Sequence, residues 1–561
     1  MLSKIKFQRK KNIPGLCLCL LWLNWANISG AREIAISILH TADIHGCLES
    51  VTPEGSDKPA GLPAVPSAQP MPARNATHSV AGGQAGGLLR CAAEINKIRA
   101  QESNVVLIDC GDFIQGSVES YLTGGEIMMK AAGYLRYDAL VVGNHEFDWG
   151  VERLGALYRK AEIPLLTAGI EAPANTSLLK GRPFLVKDID GVKLVIVGLT
   201  NPLIPMWQRP RLLGGLTFPQ SLEALRGVLA EARKIKPDIL VLAVHQGWRQ
   251  WGDDFANNIN GIAKAFPDFD LIIGAHTHQA VEAREVNRVI YTQAGDHGLW
   301  LGKVSLKYDD KQRRLTKIEP RLIAIGADML PDPDMEKLTA DSIRSAKSYL
   351  GRKIGENKRE LAADSEKGGQ SGVQTLISAA IAESVNADIV FHGTLSPAGL
   401  WVGIVRMRDV WRIVPYENTI GKAWLTFDEM REILEENSRY YGKSQFRGVY
   451  GITYELNPRA PLGERVSNLR LGNGRVIKGD ERISFAVNSY DLASAGGRFP
   501  RLREVMERTG CRLEETDKDT REAVVEYIEK HSPLNIEVAP GAIVKRSKQK
   551  SEVRNPEKNN N

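Results

Sequence analysis

The chain has 561 residues, 43% of them hydrophobic and 25% charged, with a formal net charge of +6. That length exceeds one ordinary core and points to two domains, and the composition is that of a soluble globular protein. Residues 1–31 hold five basic and no acidic residues, and residues 545–561 hold six basic and two acidic, so the remainder is near −3. No general polyanion-binding field is left, and nucleic acid is not an expected partner.

Lys4, Lys6, Arg9, Lys10 and Lys11 form a basic leader, followed by an apolar run over 15–23 and the small residues Ser29, Gly30 and Ala31. This is the layout of a secretory signal at 1–31, with an apolar part too short to span a bilayer. The alternative is an uncleaved anchor. The expected product is exported, periplasmic or extracellular, with no membrane contact in the mature form. Cys47, Cys91, Cys110 and Cys511 remain after Cys17 and Cys19 leave with the signal. In an oxidising compartment they allow three full disulfide pairings, and buried thiols fit equally well.

From Arg32 to about Ala327, short β-branched runs alternate with helical stretches. Strands are predicted at Ile34–Leu39, Val105–Ile108, Leu140–Val142, Leu194–Val197, Ile239–Val244, Leu271–Ile273 and Val289–Thr292. Several are continuous apolar runs, as when both faces of a strand are covered. A Pro/Ala/Gly/Ser-rich insertion between Val51 and Gly83 reads as a surface loop. Pro331 and Pro333 mark a break, and a connector helix over Asp334–Leu350 has Leu338, Ile343 and Tyr349 among its apolar positions. The second domain opens with an amphipathic helix around Val373, Leu376, Ile377, Ala380 and Ile381. The predicted division is a signal at 1–31, a catalytic domain at 32–328, a connector at 329–350, a substrate-binding domain at 351–544 and a disordered tail at 545–561.

Side chains able to hold metal recur just past the ends of five predicted strands. They are Asp43 and His45 in His40-Thr-Ala-Asp-Ile-His-Gly46, Asp112 in Gly111-Asp-Phe, and Asn144 and His145 in Gly143-Asn-His-Glu-Phe-Asp148. His245 follows in Leu-Ala-Val-His, and His276 and His278 in Gly-Ala-His-Thr-His. Open α/β folds place ligands outside the carboxyl ends of their strands, so these loops can converge. Taken singly, each motif also reads as a plain turn, and His245 as a core histidine. The ordered series points instead to chemistry, and carboxylate, imidazole and amide oxygen together suit borderline divalent metals such as zinc, manganese or iron.

These motifs resemble those of the 5′-nucleotidase family, within the calcineurin-like metallophosphoesterases, whose members include enzymes of the nucleotidase, cyclic phosphodiesterase and UDP-sugar hydrolase type. The resemblance implies an α/β fold: a four-layer α-β-β-α sandwich followed by a smaller α/β substrate-binding domain. It implies two divalent metal ions, zinc, manganese or similar. Asp43, His45, Asp112 and His278 would hold one; Asp112, Asn144, His245 and His276 the second, with Asp112 bridging. His145 and Asp148 match the family's catalytic dyad, and the nucleophile would be a metal-bound water or hydroxide. The implied partner is a small-molecule phosphoester, a nucleotide first.

In the second domain, Pro415-Tyr-Glu-Asn418 resembles the family's Pro-Phe-Gly-Asn, so Tyr416 is a candidate to stack on a base and Asn418 to contact it. Ser494-Ala-Gly-Gly497 resembles the glycine-rich turn after the second ring, for which Tyr490 is the candidate although two positions early. The family's arginine-bearing segment is here Phe391-His-Gly-Thr-Leu-Ser-Pro-Ala-Gly-Leu400, without arginine, and Val373-Gln-Thr-Leu-Ile377 lacks its asparagine. Arg498 stands where the family has aspartate, and is a candidate replacement cation. A phosphoesterase acting on nucleotides is the expectation. The alternatives are the same site acting on a non-nucleotide phosphate or a sulfur ester, and a silent binding protein of the same fold.

Overall fold

The structure, a computed structural model, describes residues 32–49, 85–173, 179–364, 370–472, 474–475 and 480–544. The leader, the insertion between Val51 and Gly83 and the tail at 545–561 lie outside the described residues. Among those described, no helix is long and apolar enough to cross a membrane.

Two six-stranded sheets build the N-terminal unit. Its strands are β1 (Glu33–Thr41), β2 (Val105–Asp109), β3 (Ala139–Val141), β4 (Leu165–Leu166), β5 (Phe184–Ile189) and β6 (Val192–Leu199). There follow β7 (Ile239–Val244), β8 (Leu271–Gly274), β9 (Ala280–Val286), β10 (Val289–Ala294), β11 (Trp300–Asp309) and β12 (Arg314–Ala324). One sheet runs β12-β11-β1-β2-β3-β4, the other β5-β6-β7-β8-β10-β9. Strands β1 to β4 are mutually parallel, as are β6, β7, β8 and β10.

Successive strand side chains point to opposite faces, and here each face has its own core. In β7, Ile239, Val241 and Ala243 enter the core between the sheets, while Leu240, Leu242 and Val244 pack under the outer helices Ser221–Lys234 and Ile259–Ala265. In β2, Val106 and Ile108 face inward and Leu107 faces the helices Leu88–Gln101 and Glu126–Tyr134. That double burial is why these strands read as unbroken apolar runs, and it gives the expected four-layer sandwich. Each predicted strand lies on an observed one. Strands β4, β5, β9, β11 and β12 are additional to those predicted: β4, β5, β9 and β12 are edge strands, and β11 lies between β1 and β12 with antiparallel partners.

The helix Pro333–Gly351 starts at Asp332, whose side chain accepts from the Met335 amide, with Pro333 in the first turn. It turns Met335, Thr339, Ile343 and Ala346 inward, while Leu338, another of its apolar positions, is 43% exposed. The C-terminal unit centres on a five-stranded sheet in the order Gly448–Tyr450, Ile389–His392, Ile483–Asn488, Thr419–Leu425, Glu514–Asp519. Helix Gly372–Val385 begins in a capping box between Ser371 and Gln374. Its predicted apolar positions are all buried, but so are Gln374, Thr375 and Ser378. It is a central helix enclosed on all sides through Ile381, not an amphipathic surface one. Cys47, Cys91, Cys110 and Cys511 are all buried free thiols, so no disulfide forms among the described residues.

Candidate active site

Asp43 and His45 follow β1, Asp112 follows β2, Asn144 and His145 follow β3, His245 follows β7, and His276 and His278 follow β8. The first three loops belong to one sheet and the last two to the other, and they meet where the parallel strands of both sheets end. Asp43, His45, Asp112, His276 and His278 all adopt left-handed backbone, with φ of 51°, 50°, 57°, 69° and 54°. A non-glycine residue there costs on the order of 1–2 kcal/mol, and such strain persists only where neighbours enforce it. The enforcing bonds are visible. The Asp43 and His45 amides donate to the carbonyls of Gly111 and Asp112 at 3.0 and 2.8 Å. The His276 amide donates to the Asp43 carboxylate at 3.0 Å. Gly143 permits the closest approach: a Cβ there would lie 2.3 Å from Asp112 Oδ1.

Two clusters result. Ligand atoms of Asp43, His45 and His278 lie within 4.8 Å of one another, as do those of Asp112, His245 and His276. Asn144 Oδ1 joins the second, 3.1 Å from His245 Nε2. Asp112 Oδ2 lies 3.1 Å from His245 Nε2 and 4.0 Å from His45 Nε2, so one carboxylate touches both groups.

Hydrogen bonding makes these atoms acceptors. His45 Nδ1 donates to the Gln115 carbonyl at 3.2 Å, and His278 Nδ1 faces the Asp296 carboxylate at 3.1 Å. Their Nε2 lone pairs then oppose each other at 3.1 Å. His245 Nδ1 donates to the Cys110 carbonyl at 2.9 Å, which turns its Nε2 lone pair toward Asp112 and Asn144. Lone pairs converging without a donor repel unless a cation lies among them, so the donor set fits divalent metal. Where a proton stands in place of the cation, burial works against the Asp112 carboxylate, yet His245 and His145 outweigh it and hold Asp112 well below the usual carboxylate range. Burial raises Asp43 to about 6, against the pull of His278 and His245.

His145 Nδ1 lies 2.8 Å from Asp148 Oδ2, while its backbone amide donates to Asp112 Oδ1 at 2.8 Å. Burial disfavours its imidazolium, but Asp148 and Asp112 overcome that and lift it to about 10. Its ring packs edge-on to His45 at 5.2 Å and lies parallel to Tyr416 at 6.3 Å and 13°. The half-exposed Tyr416 of the C-terminal unit is therefore brought against the dyad. Asn418 is buried, with its Oδ1 3.4 Å from Ser489 Oγ. Arg498 Nη2 donates to the Tyr490 hydroxyl at 2.5 Å.

Beside Tyr416, Glu417 accepts from Trp149 Nε1 across the seam between the two units, and its Oε1 is buried without a hydrogen-bond partner. Burial lifts this carboxyl to about 7; Asp148 and Asp519 add to the shift and Arg521 opposes it. A folded pKa above the unfolded value means the folded state binds the extra proton, so stability falls as pH rises from about 4 through about 7. Glu417→Gln keeps an acceptor for Trp149 and removes the charge. Its melting temperature is expected to exceed the parent's at about pH 8.5 and to match it at about pH 4, by parallel thermal melts.

Three functional positions escaped the sequence reading. Glu146, 1% exposed, accepts the amides of Asp112, Phe113 and Gly143 at 2.8, 2.7 and 2.6 Å and so ties two ligand loops together. Asp296 Oδ2 faces Nδ1 of both His278 and His297, at 3.1 and 3.2 Å, which orients a candidate ligand. Gln208 donates to Asp148 Oδ1. A signal existed for the second: Gly295-Asp-His-Gly298 follows the end of β10 and repeats the glycine-bordered pattern seen after the other strands.

Two family models match the chain: calcineurin-like phosphoesterase over residues 36–280 and 5'-nucleotidase, C-terminal domain over residues 350–504. A 5'-nucleotidase of Vibrio parahaemolyticus is 24% identical, over 80% of this chain and 86% of its own. A Staphylococcus aureus protein crystallised with alpha-ketoglutarate superposes with a TM-score of 0.74 at 20% identity, over 91% of this chain and 100% of that one. The Thermus thermophilus sulfate thiohydrolase SoxB, crystallised with glycerol, gives 0.61 at 18% identity, over 91% and 96%. At such identities the structural likeness concerns the fold. Sandwich, converging acceptors and matched models define a metal-dependent phosphoesterase. Within that class, the chain belongs to the 5′-nucleotidase family.

Proposed function

We propose that the protein is an exported two-metal phosphoester hydrolase that releases phosphate from nucleotides. The observation that carries this reading is the pair of acceptor clusters sharing Asp112 beside the His145–Asp148 pair. In this reading residues 32–328 form the catalytic domain, 329–350 the connector and 351–544 the substrate-binding domain. The leader at 1–31, with its basic start and short apolar run, supports export to the periplasm or the outside.

Asp43, His45, Asp112 and His278 would hold one ion, and Asp112, Asn144, His245 and His276 the other, zinc, manganese or similar. When bound, the pair supplies Lewis acidity toward the phosphoryl group and toward water at neutral pH. Asp148 fixes His145 through Nδ1, which leaves Nε2–H to donate to a phosphoryl oxygen or to pass its proton to the departing alkoxide. Asp296 orients His278, and Glu146 holds the loops of Asp112 and Asn144 in register.

Tyr416, half exposed beside His145, would stack on the base, with Asn418 near its edge. Arg498 donates to the Tyr490 hydroxyl, a neutral group that leaves the guanidinium charge in place, so Arg498 stays the candidate replacement cation and Tyr490 the candidate second ring. Stacking contributes about 1–3 kcal/mol and tolerates any base. A phosphate-release screen over nucleoside monophosphates, cyclic nucleotides, sugar nucleotides and a small aryl phosphate tests this. Nucleoside monophosphates are expected to lead, with less than about a thousandfold discrimination among them, roughly 4 kcal/mol. Tyr416→Ala should raise KM for nucleotides and barely change it for the aryl phosphate. No release from any nucleotide would overturn the substrate assignment. A sulfur ester is the second reading, favoured by the arginine-free segment 391–400 and by the fold shared with a thiohydrolase.

A further inference from the structure

We infer that Gln208 is a positioning residue for the His145–Asp148 dyad, and that the C-terminal unit sets its grip. The inference rests on the proposed role of that dyad; Gln208 bonds the backbone carbonyl of the candidate ligand Asn144 and not its side-chain oxygen.

Gln208 is 8% exposed, and its Nε2 donates to Asp148 Oδ1 and, at 3.2 Å, to the Asn144 carbonyl. Both amide protons are thus spent, one on the carboxylate that orients His145 and one on the loop that carries His145. Asp148 itself holds His145 through its other oxygen. Without Gln208, one side of that carboxylate has nothing to stop its rotation, and a general acid loses rate steeply when misaimed.

A glutamine side chain positions its target only as well as its own backbone is fixed. Around Gln208 that fixing comes in part from its own unit, where its amide donates to the carbonyl of the buried Ile204 at 2.9 Å, and in part from the other unit. On one side, the Pro205 carbonyl accepts from Arg503 Nη1 at 3.0 Å, and the Met206 carbonyl accepts from the Gly496 amide at 3.3 Å. Trp207 then fits between two partners. Its ring lies 5.0 Å from that of His276, and Gly496 passes so near that a Cβ would stand 2.6 Å from Trp207 Nε1. On the other side, the buried Arg209 forms an ion pair with Glu515 and donates to Thr419 Oγ1 at 3.1 Å. Five consecutive residues, 205–209, thus reach the C-terminal unit, a candidate metal ligand and the dyad at once. The C-terminal unit therefore acts on the reaction through Gln208 even for a substrate too small to touch it.

The test uses the full chain, the metal-loaded enzyme and a small aryl phosphate. Gln208→Ala is expected to lower kcat about ten- to a hundredfold, the loss for an acid held slightly out of line, with KM and metal content unchanged. Arg209→Ala should lower kcat alone, and added to Gln208→Ala it should bring no further loss, because both act through one carboxylate. Glu515→Gln, at the more exposed end of the pair, serves if Arg209→Ala does not fold. Unchanged kcat in Gln208→Ala, loss of metal from it, or strictly multiplicative losses in the double variant would each overturn the inference. His145→Ala separates the two levels. If it is slow while Gln208→Ala is normal, the dyad stands and the inference falls; if His145→Ala itself is normal, the dyad reading falls first.

Discussion

Asp112→Ala protein is expected to emerge with neither metal and with kcat/KM reduced about 10⁴-fold or more, some 5.5 kcal/mol of lost transition-state stabilisation. One carboxylate performs three tasks. Its Oδ2 lies 3.1 Å from His245 Nε2 and 4.0 Å from His45 Nε2, touching both clusters. Its Oδ1 accepts the His145 amide at 2.8 Å and fixes the loop carrying the dyad. Removing it leaves the second cluster with imidazole and carboxamide acceptors and takes from the first the anion it shares with the second. Asp112→Asn is the sharper control, since it keeps an acceptor for the His145 amide and removes only the charge. Elemental analysis of the purified variants decides: near two metals per chain, or near-normal turnover, would remove Asp112 from the centre of the mechanism.

His145→Ala should behave oppositely with respect to metal. The side chain is tied to Asp148, edge-on to His45 and parallel to Tyr416, and it belongs to neither acceptor cluster. Metal content is expected to stay near that of the parent while kcat drops roughly 10²- to 10⁴-fold, the range for a lost acid–base group. The backbone bond from residue 145 to Asp112 survives the substitution, so the loop need not move. A variant that sheds its metals would make His145 a ligand and leave the general acid to be found elsewhere.

The catalytic unit was largely legible because its central strands bury both faces, which writes them as apolar runs, and because chemistry-bearing residues follow each run in order. Five strands were not, the edge strands β4, β5, β9 and β12 and the alternating β11, since pairing at an edge or along a half-solvated face needs no continuous apolar run. Glu146 lay in plain view inside Gly143-Asn-His-Glu-Phe-Asp148, yet its task of collecting amides from another loop exists only in three dimensions. Gln208 had no motif at all, because its partners are 60 and 64 positions away. The C-terminal unit was read least well. The bond between Tyr490 and Arg498 and the seam at Trp149 and Glu417 depend on how loops meet, and neither periodicity nor spacing records that.

The division of each cluster between the two sheets has a thermodynamic side. Asp43 and His45 come from one sheet and His278 from the other; Asp112 comes from the first, and His245 and His276 from the second. A cation in either cluster is therefore a rivet through the sandwich, and unfolding must extract it. At a free-ion concentration a hundredfold above its dissociation constant, one such rivet adds about 2.7 kcal/mol to the folded state. Ion supply and fold stability become linked variables, and a chain starved of metal is closer to its unfolding threshold as well as idle.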